Sequence, residues 1–177
     1  MSKVRLATVW LDGCSGCHMS FLDMDERLIE IAEQVEVVYS PLVDPKRFPE
    51  AVDVTLVEGA VSSVEDMEKI RHIRARTKIL VSLGDCAVTA NVPAMRNPYK
   101  VDEVMHRAYA ENVTLQAQTP NQVVPALLAK ARPVHTVVKV DVYVPGCPPS
   151  ADTIHFVLSE LLQGRMPDLS DMSRFGA

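Results

Sequence analysis

Short apolar runs alternate with longer amphipathic stretches along most of the chain. Val4 to Leu11, Val35 to Tyr39, Val52 to Val57, Lys78 to Leu83 and Val137 to Val144 are runs of strand length rich in Val, Ile and Leu, the pattern of strands buried on both faces. Between them, Phe21, Leu22, Leu28, Ile29 and Ala32 recur at helical spacing, which predicts one helix over His18 to Gln34. Ser63 opens a second helix reaching about Arg76, with Val64, Met67, Ile70 and Ile73 on its apolar side, and Asp152 to Leu162 predicts a closing helix. Pro41 to Pro49 reads as a loop.

Strands alternating with helices predict an α/β fold: a flavodoxin-like, doubly wound, mainly parallel sheet with helices on both faces. From Ala87 to Arg132 the pattern loosens, and Pro93, Pro98, Pro120 and Pro125 interrupt it. This predicts an irregular excursion with brief helices around Asp102 to Ala110 and Gln122 to Lys130, and excursions of that size serve a function or lie under a partner. The expected organisation is one domain over residues 1–164, containing the 87–132 excursion, and a C-terminal tail over 165–177.

The candidate chemistry lies in the turns. The only cysteines are Cys14, Cys17, Cys86 and Cys147, and they sit in Asp12-Gly13-Cys14-Ser15-Gly16-Cys17, Gly84-Asp85-Cys86 and Pro145-Gly146-Cys147-Pro148-Pro149. Each turn follows a strand-like run. Ligands of open parallel sheets collect beyond the carboxyl ends of the strands, so three such turns can bring four sulfurs to one rim. Four thiolates suit a tetrahedral zinc ion or an iron-sulfur cluster with one Cys per iron. One close pair followed by two isolated cysteines departs from the paired knuckles of structural zinc and favours the cluster. Read separately, Cys86 and Cys147 are ordinary buried residues and Cys14 with Cys17 is a thiol-redox pair. A stand-alone zinc or thiol-redox protein is therefore the alternative class.

Composition narrows the partners. A net charge of −5 argues against nucleic acid. No apolar run approaches a membrane span, and Met1-Ser2-Lys3-Val4-Arg5 carries neither a signal peptide nor a twin-arginine pair, so the cytoplasm is the expected compartment, where free thiols bind metal rather than pair as disulfides. The loop that would hold a flavin phosphate in a flavodoxin is occupied by Cys14 and Cys17, so no flavin is expected on this chain. No Gly-x-Gly-x-x-Gly turn is present for NAD.

In this order, Cys14-Ser15-Gly16-Cys17, Val57-Glu58-Gly59, Leu83-Gly84-Asp85-Cys86 and Val144-Pro145-Gly146-Cys147-Pro148-Pro149 resemble the small subunit of nickel-iron hydrogenases and the related cluster subunit of respiratory complex I. The resemblance spans about residues 4 to 162. Two residues separate Cys14 from Cys17, where the complex I relative has adjacent cysteines, so the hydrogenase side is favoured. The short length resembles the cytoplasmic, bidirectional NAD-reducing type, with the F420-, heterodisulfide- and NADP-linked types as neighbours.

The resemblance implies that Cys14, Cys17, Cys86 and Cys147 hold one proximal 4Fe-4S cluster and that no residue of this chain is catalytic. It implies a nickel-iron centre on a hydrogenase large subunit, and FMN with the nicotinamide site on diaphorase iron-sulfur and flavin subunits. Asp12, Glu58 and Asp85 are candidates for tuning the cluster or moving protons. Acids in glycine turns ordinarily form the turn, which is the plain reading of Asp12 and Asp85, whereas Glu58 ends a buried strand at the same rim. His18 is surplus to a four-thiolate set, and His72, His106, His135 and His155 show no ligand spacing. Met19 and Met24 are expected in the core or at a subunit contact, and Trp10 beside the cluster or in the core.

Overall fold

The computed structural model describes residues 3–172. Five parallel strands, β1 (Val4–Trp10), β2 (Val35–Tyr39), β3 (Val52–Glu58), β5 (Thr77–Leu83) and β7 (Val142–Val144), form one sheet in the order β2-β1-β3-β5-β7. With the short strands β4 (Val61–Ser63) and β6 (Leu127–Arg132) set aside in a separate antiparallel pair, this is the strand order of a flavodoxin-like sheet. The α/β architecture read from the runs is the one observed.

Alternation along the buried strands divides the core between the two faces of the sheet. Leu6, Leu56, Val81 and Val144 pack under α1 (Gly16–Leu22), α2 (Arg27–Gln34) and α6 (Ala151–Leu162), together with Met24, Ile31, Ile154 and Leu158. Val9, Val57 and Leu80 pack on the other face with Ile70 and Ile73 of α3 (Val64–Arg74) and Ala87 of α4 (Asp85–Thr89). Helix α3 begins in a capping box: the Ser63 hydroxyl accepts from the Asp66 amide at 3.0 Å, and the Asp66 carboxylate accepts from the Ser63 amide at 2.9 Å.

Three predicted elements differ. The helix expected over His18 to Gln34 is two helices separated at residues 23–26. Asp23 and Asp25 favour a turn, Asp25 takes a left-handed φ of 50°, and the break turns Met24 into the core at 1% exposure. The helix expected over Gln122 to Lys130 is instead β6, antiparallel to β4 with Ser63 opposite Leu127 and Val61 opposite Arg132. Pairing with a distant strand outweighs the helix propensity of Leu127-Leu128-Ala129-Lys130. The strand expected from Val137 is regular only at Val142–Val144, preceded by a 3-10 turn at Val134–Thr136.

The excursion holds α5 (Val101–His106), continued by a π turn over Arg107–Glu111, close to the helix expected there. It is fastened to the second sheet. Arg96 donates to the carbonyls of Ser62 at 3.1 Å and Leu128 at 2.9 Å, while Asn97 and Ala131 exchange a reciprocal pair at 2.8 and 2.9 Å. Of the expected tail, Leu169 packs against the α6 side of the core; residues 173–177 lie outside the described residues.

Candidate metal centre

Register sets the site. Trp10 lies opposite Glu58, Glu58 opposite Leu83, and Leu83 opposite Val144, so four adjacent strands end in one row and their loops leave from one rim. The loop after β1 carries Cys14 and Cys17, the loop after β5 carries Cys86, and the loop after β7 carries Cys147. The three cysteine turns read from the sequence thus share one edge of the sheet.

The loops pack against each other closely. Gly84, buried at φ 81°, lies under the Cys17 sulfur: a Cβ there would come within 2.2 Å of Cys17 Sγ and 3.5 Å of the Gly146 carbonyl. Gly146 at φ 135° is needed as well, since a Cβ would fall 2.6 Å from Pro149 Cα. The Ser20 hydroxyl of α1, buried, donates to the Pro149 carbonyl at 2.6 Å, tying the first cysteine loop to the last. Asp85 and Gly146 exchange two hydrogen bonds, the Asp85 amide to the Gly146 carbonyl at 2.8 Å and the Gly146 amide to Asp85 Oδ1 at 2.7 Å.

Cys14 and Cys147 are exposed, Cys86 is half-buried and Cys17 is 7% exposed; all four are free thiols. Burial pushes the Cys17 thiol far up, and the negative charges of Glu58, Cys86, Cys14 and Cys147 add to it. The Cys86 thiol is raised by burial and by Cys147, Cys14 and Glu58, against a hydrogen bond from the Val92 amide. The four sulfurs therefore feel one another, and a thiolate set in this place calls for positive charge to hold it. Gly16 donates its amide to Cys14 Sγ at 3.4 Å and Asn91 its side-chain amide to Cys147 Sγ at 3.6 Å. Among the described residues, no three His, Cys, Asp or Glu side chains gather as a single metal ion requires.

The acids at the rim have separate partners. Glu58, 1% exposed, accepts from the His18 amide at 3.1 Å and is paired with the His18 ring, whose other nitrogen lies 3.0 Å from the Thr8 hydroxyl. Thr8 in turn donates to Ser40 at 2.8 Å. His18 is the residue that sequence reasoning passed over. The available signal was a histidine in the first turn of a helix facing a strand that ends in a buried acid. Asp12 exchanges backbone bonds with Ala60 and accepts from the Ser62 hydroxyl, so it braces the first cysteine loop against β4. The Asp12 carboxylate accepts from Ser62 of β4 and the Asp85 carboxylate from Gly146, so both bond between distant segments of the chain.

Trp10 is 43% exposed and donates its indole N–H to the Gly13 carbonyl at 3.2 Å, which places it over the first cysteine loop. Met24 is core and Met19 is 58% exposed. His72 meets Phe48 edge to face, His106 pairs with Glu111 and His135 meets Tyr143.

A family model described as NADH ubiquinone oxidoreductase, 20 Kd subunit, matches residues 14–161, from the first cysteine to the end of α6. The chain belongs to this family. Within it the chain is similar to the delta subunit of the NAD-reducing hydrogenase HoxS of Cupriavidus necator, with 44% identity over 98% of this chain and 86% of that protein. It is similar to a subunit of the F420-non-reducing hydrogenase vhu of Methanocaldococcus jannaschii at 37% identity, where it spans 94% of its own length but only 58% of the relative. A crystal structure of an NAD+-reducing [NiFe]-hydrogenase in the H2-reduced state contains a chain that superposes with a TM-score of 0.93 at 39% identity, over 98% of this chain and 99% of that one. The resemblance to hydrogenase small subunits therefore holds over the whole 20 Kd-subunit fold.

Proposed function

We propose that this chain is the electron-transfer small subunit of a cytoplasmic NAD-reducing nickel-iron hydrogenase, and that Cys14, Cys17, Cys86 and Cys147 hold its proximal 4Fe-4S cluster. The observation that carries the proposal is the meeting of three cysteine loops on one rim, with the Cys17 sulfur seated on Gly84 and raised in pKa by burial, by Glu58 and by the other three thiols. A 4Fe-4S cluster takes up and releases single electrons, and its potential responds to burial, charge and hydrogen bonds to sulfur. The chain's own part is placement: glycines let three backbones close on the site, the amide of Gly16 and the side chain of Asn91 donate to sulfur, and Cys14 and Cys147 lie on the open side.

One Cys per iron spreads four sulfurs over a cluster, whereas one zinc ion needs all of them within about 2.3 Å of itself. The layout of the thiols over three loops, one close pair and two single cysteines, departs from paired zinc knuckles and favours the cluster. NAD as the acceptor is supported by likeness, because the chain is 44% identical to the HoxS subunit and superposes on the NAD+-reducing crystal chain with a TM-score of 0.93, against 37% identity to the vhu subunit. The partners on this reading are a large subunit with the nickel-iron centre and diaphorase subunits with iron-sulfur clusters and FMN. The four free thiols suit a reducing compartment, and no helix among the described residues is long and apolar enough to cross a membrane.

Purification without oxygen tests this directly. A brown chain with about four iron and four sulfide, whose visible absorption bleaches with reductant, is expected of a 4Fe-4S protein. A colourless chain carrying zinc would overturn the proposal.

A further inference from the structure

The three cysteine loops are held together by different means, and one junction is closed by a single side chain. Cys14 and Cys17 share a loop that continues into α1, and α1 is tied to the last loop through Ser20 and Pro149. The Cys86 and Cys147 loops meet at a closed ring: the Asp85 amide donates to the Gly146 carbonyl at 2.8 Å, and Asp85 Oδ1 accepts from the Gly146 amide at 2.7 Å. Gly84 extends the junction by donating to the Val144 carbonyl at 2.8 Å. Asp85 directly precedes Cys86 and Gly146 directly precedes Cys147, so the ring fixes the two residues from which these thiols project.

We propose that Asp85 is a positioning residue for the metal centre, a clamp whose Oδ1 holds the Cys86 and Cys147 turns at the separation the cluster requires. The inference rests on the cluster reading above and deepens it. Without the carboxylate, the half-buried Gly146 amide has no acceptor in the ring, and the last turn is held to the Cys86 segment through the main chain and the long contact from Asn91 to the Cys147 sulfur. An unsatisfied amide opens the junction, and a ligand turn that opens releases its iron. The active feature is the acceptor oxygen at that reach. Asn offers the same oxygen without the charge.

The test uses the full chain purified without oxygen with the subunits that accompany it, as wild type, Asp85→Ala and Asp85→Asn. Iron release into excess chelator and bleaching of the visible absorption are followed together, with far-ultraviolet circular dichroism to report the fold. Asp85→Ala is expected to release iron roughly tenfold faster, the scale of one lost hydrogen bond, and Asp85→Asn to stay within about twofold of wild type because the bond is rescued. Should Asp85→Ala not fold, Asp85→Asn decides: wild-type release supports the clamp, and tenfold faster release overturns it. An Asp85→Ala chain that folds and keeps its iron like wild type overturns the clamp and leaves the cluster reading intact. A wild-type chain without iron overturns the cluster reading itself.

Discussion

A methyl group on Gly84 has nowhere to go. It would lie 2.2 Å from the Cys17 sulfur, and the backbone at φ 81°, ψ 161° belongs to glycine alone; a side chain there carries about 1–3 kcal/mol of backbone strain before any clash is counted. Gly84→Ala is therefore expected to lower the midpoint of urea unfolding and to cut the iron content to well under half, because the atom displaced is a proposed ligand. Wild-type iron in that variant would show that Cys17 does not need this seat. The cysteines themselves should be ranked by burial. Ser in place of Cys17 leaves a harder oxygen in a pocket 7% exposed, and it should lose more iron than Ser in place of the exposed Cys14 or Cys147. Full retention of iron and sulfide in any one variant would remove that cysteine from the ligand set. The cysteines announced themselves in the sequence by standing in glycine turns after apolar runs. His18 did not, because its meaning depends on Glu58, forty residues away along the chain and brought opposite only by strand pairing.

Between elements, the most consequential polar contact outside the metal site is Asp141. Its carboxylate accepts from the Leu80 amide at 2.9 Å and pairs with Arg74 at 2.5 Å, joining the approach to β7 with β5 and the end of α3. Partial burial alone would raise this acid, but the Leu80 amide and the Arg74 guanidinium outweigh it and hold the carboxyl below its usual range. A carboxyl depressed in the folded state stabilises above its unfolded value of about 3.9 and loses that contribution as pH falls through the folded value. Asp141→Asn should accordingly destabilise by about 1–2 kcal/mol at pH 7, with the gap from wild type closing below pH of about 4. Urea titrations at both pH values check this, and a gap independent of pH would refute it. The strands β1, β2, β3 and β5 and the helices α3 and α6 were legible because each is specified by its own run of side chains. The β4-β6 pair was not, since Leu127–Arg132 becomes a strand only by pairing with Val61–Ser63. Nor was the break before α2, where burial of Met24 decides against a continuous helix.

At the scale of the whole molecule, the sheet collects the four cysteine sulfurs on one edge and leaves two of them exposed. The excursion presents further apolar surface, with Met95 at 72% and Leu115 at 83% exposure. The α/β class and the shared rim could be read from the order of runs and turns, whereas which side chains of the excursion stand exposed could not, because exposure is a property of the folded chain. A relay that only carries electrons has a consequence for the assembled enzyme. If these four cysteines hold the cluster next to a nickel-iron centre on the large subunit, hydrogen is split on the partner and this chain governs only the exit of electrons. Ligand variants that still assemble should then exchange hydrogen and deuterium at close to the wild-type rate while losing hydrogen-driven reduction of NAD. NADH-driven reduction of a dye, which on the proposed arrangement bypasses this chain, should be unchanged and serves as the control for the diaphorase half. Loss of isotope exchange together with NAD reduction, in a complex shown to keep its nickel and iron, would mean that this chain takes part in splitting hydrogen. Normal hydrogen-driven reduction of NAD in a variant shown to lack its cluster would mean that electrons leave by another route, and the four cysteines would then lie off the main path.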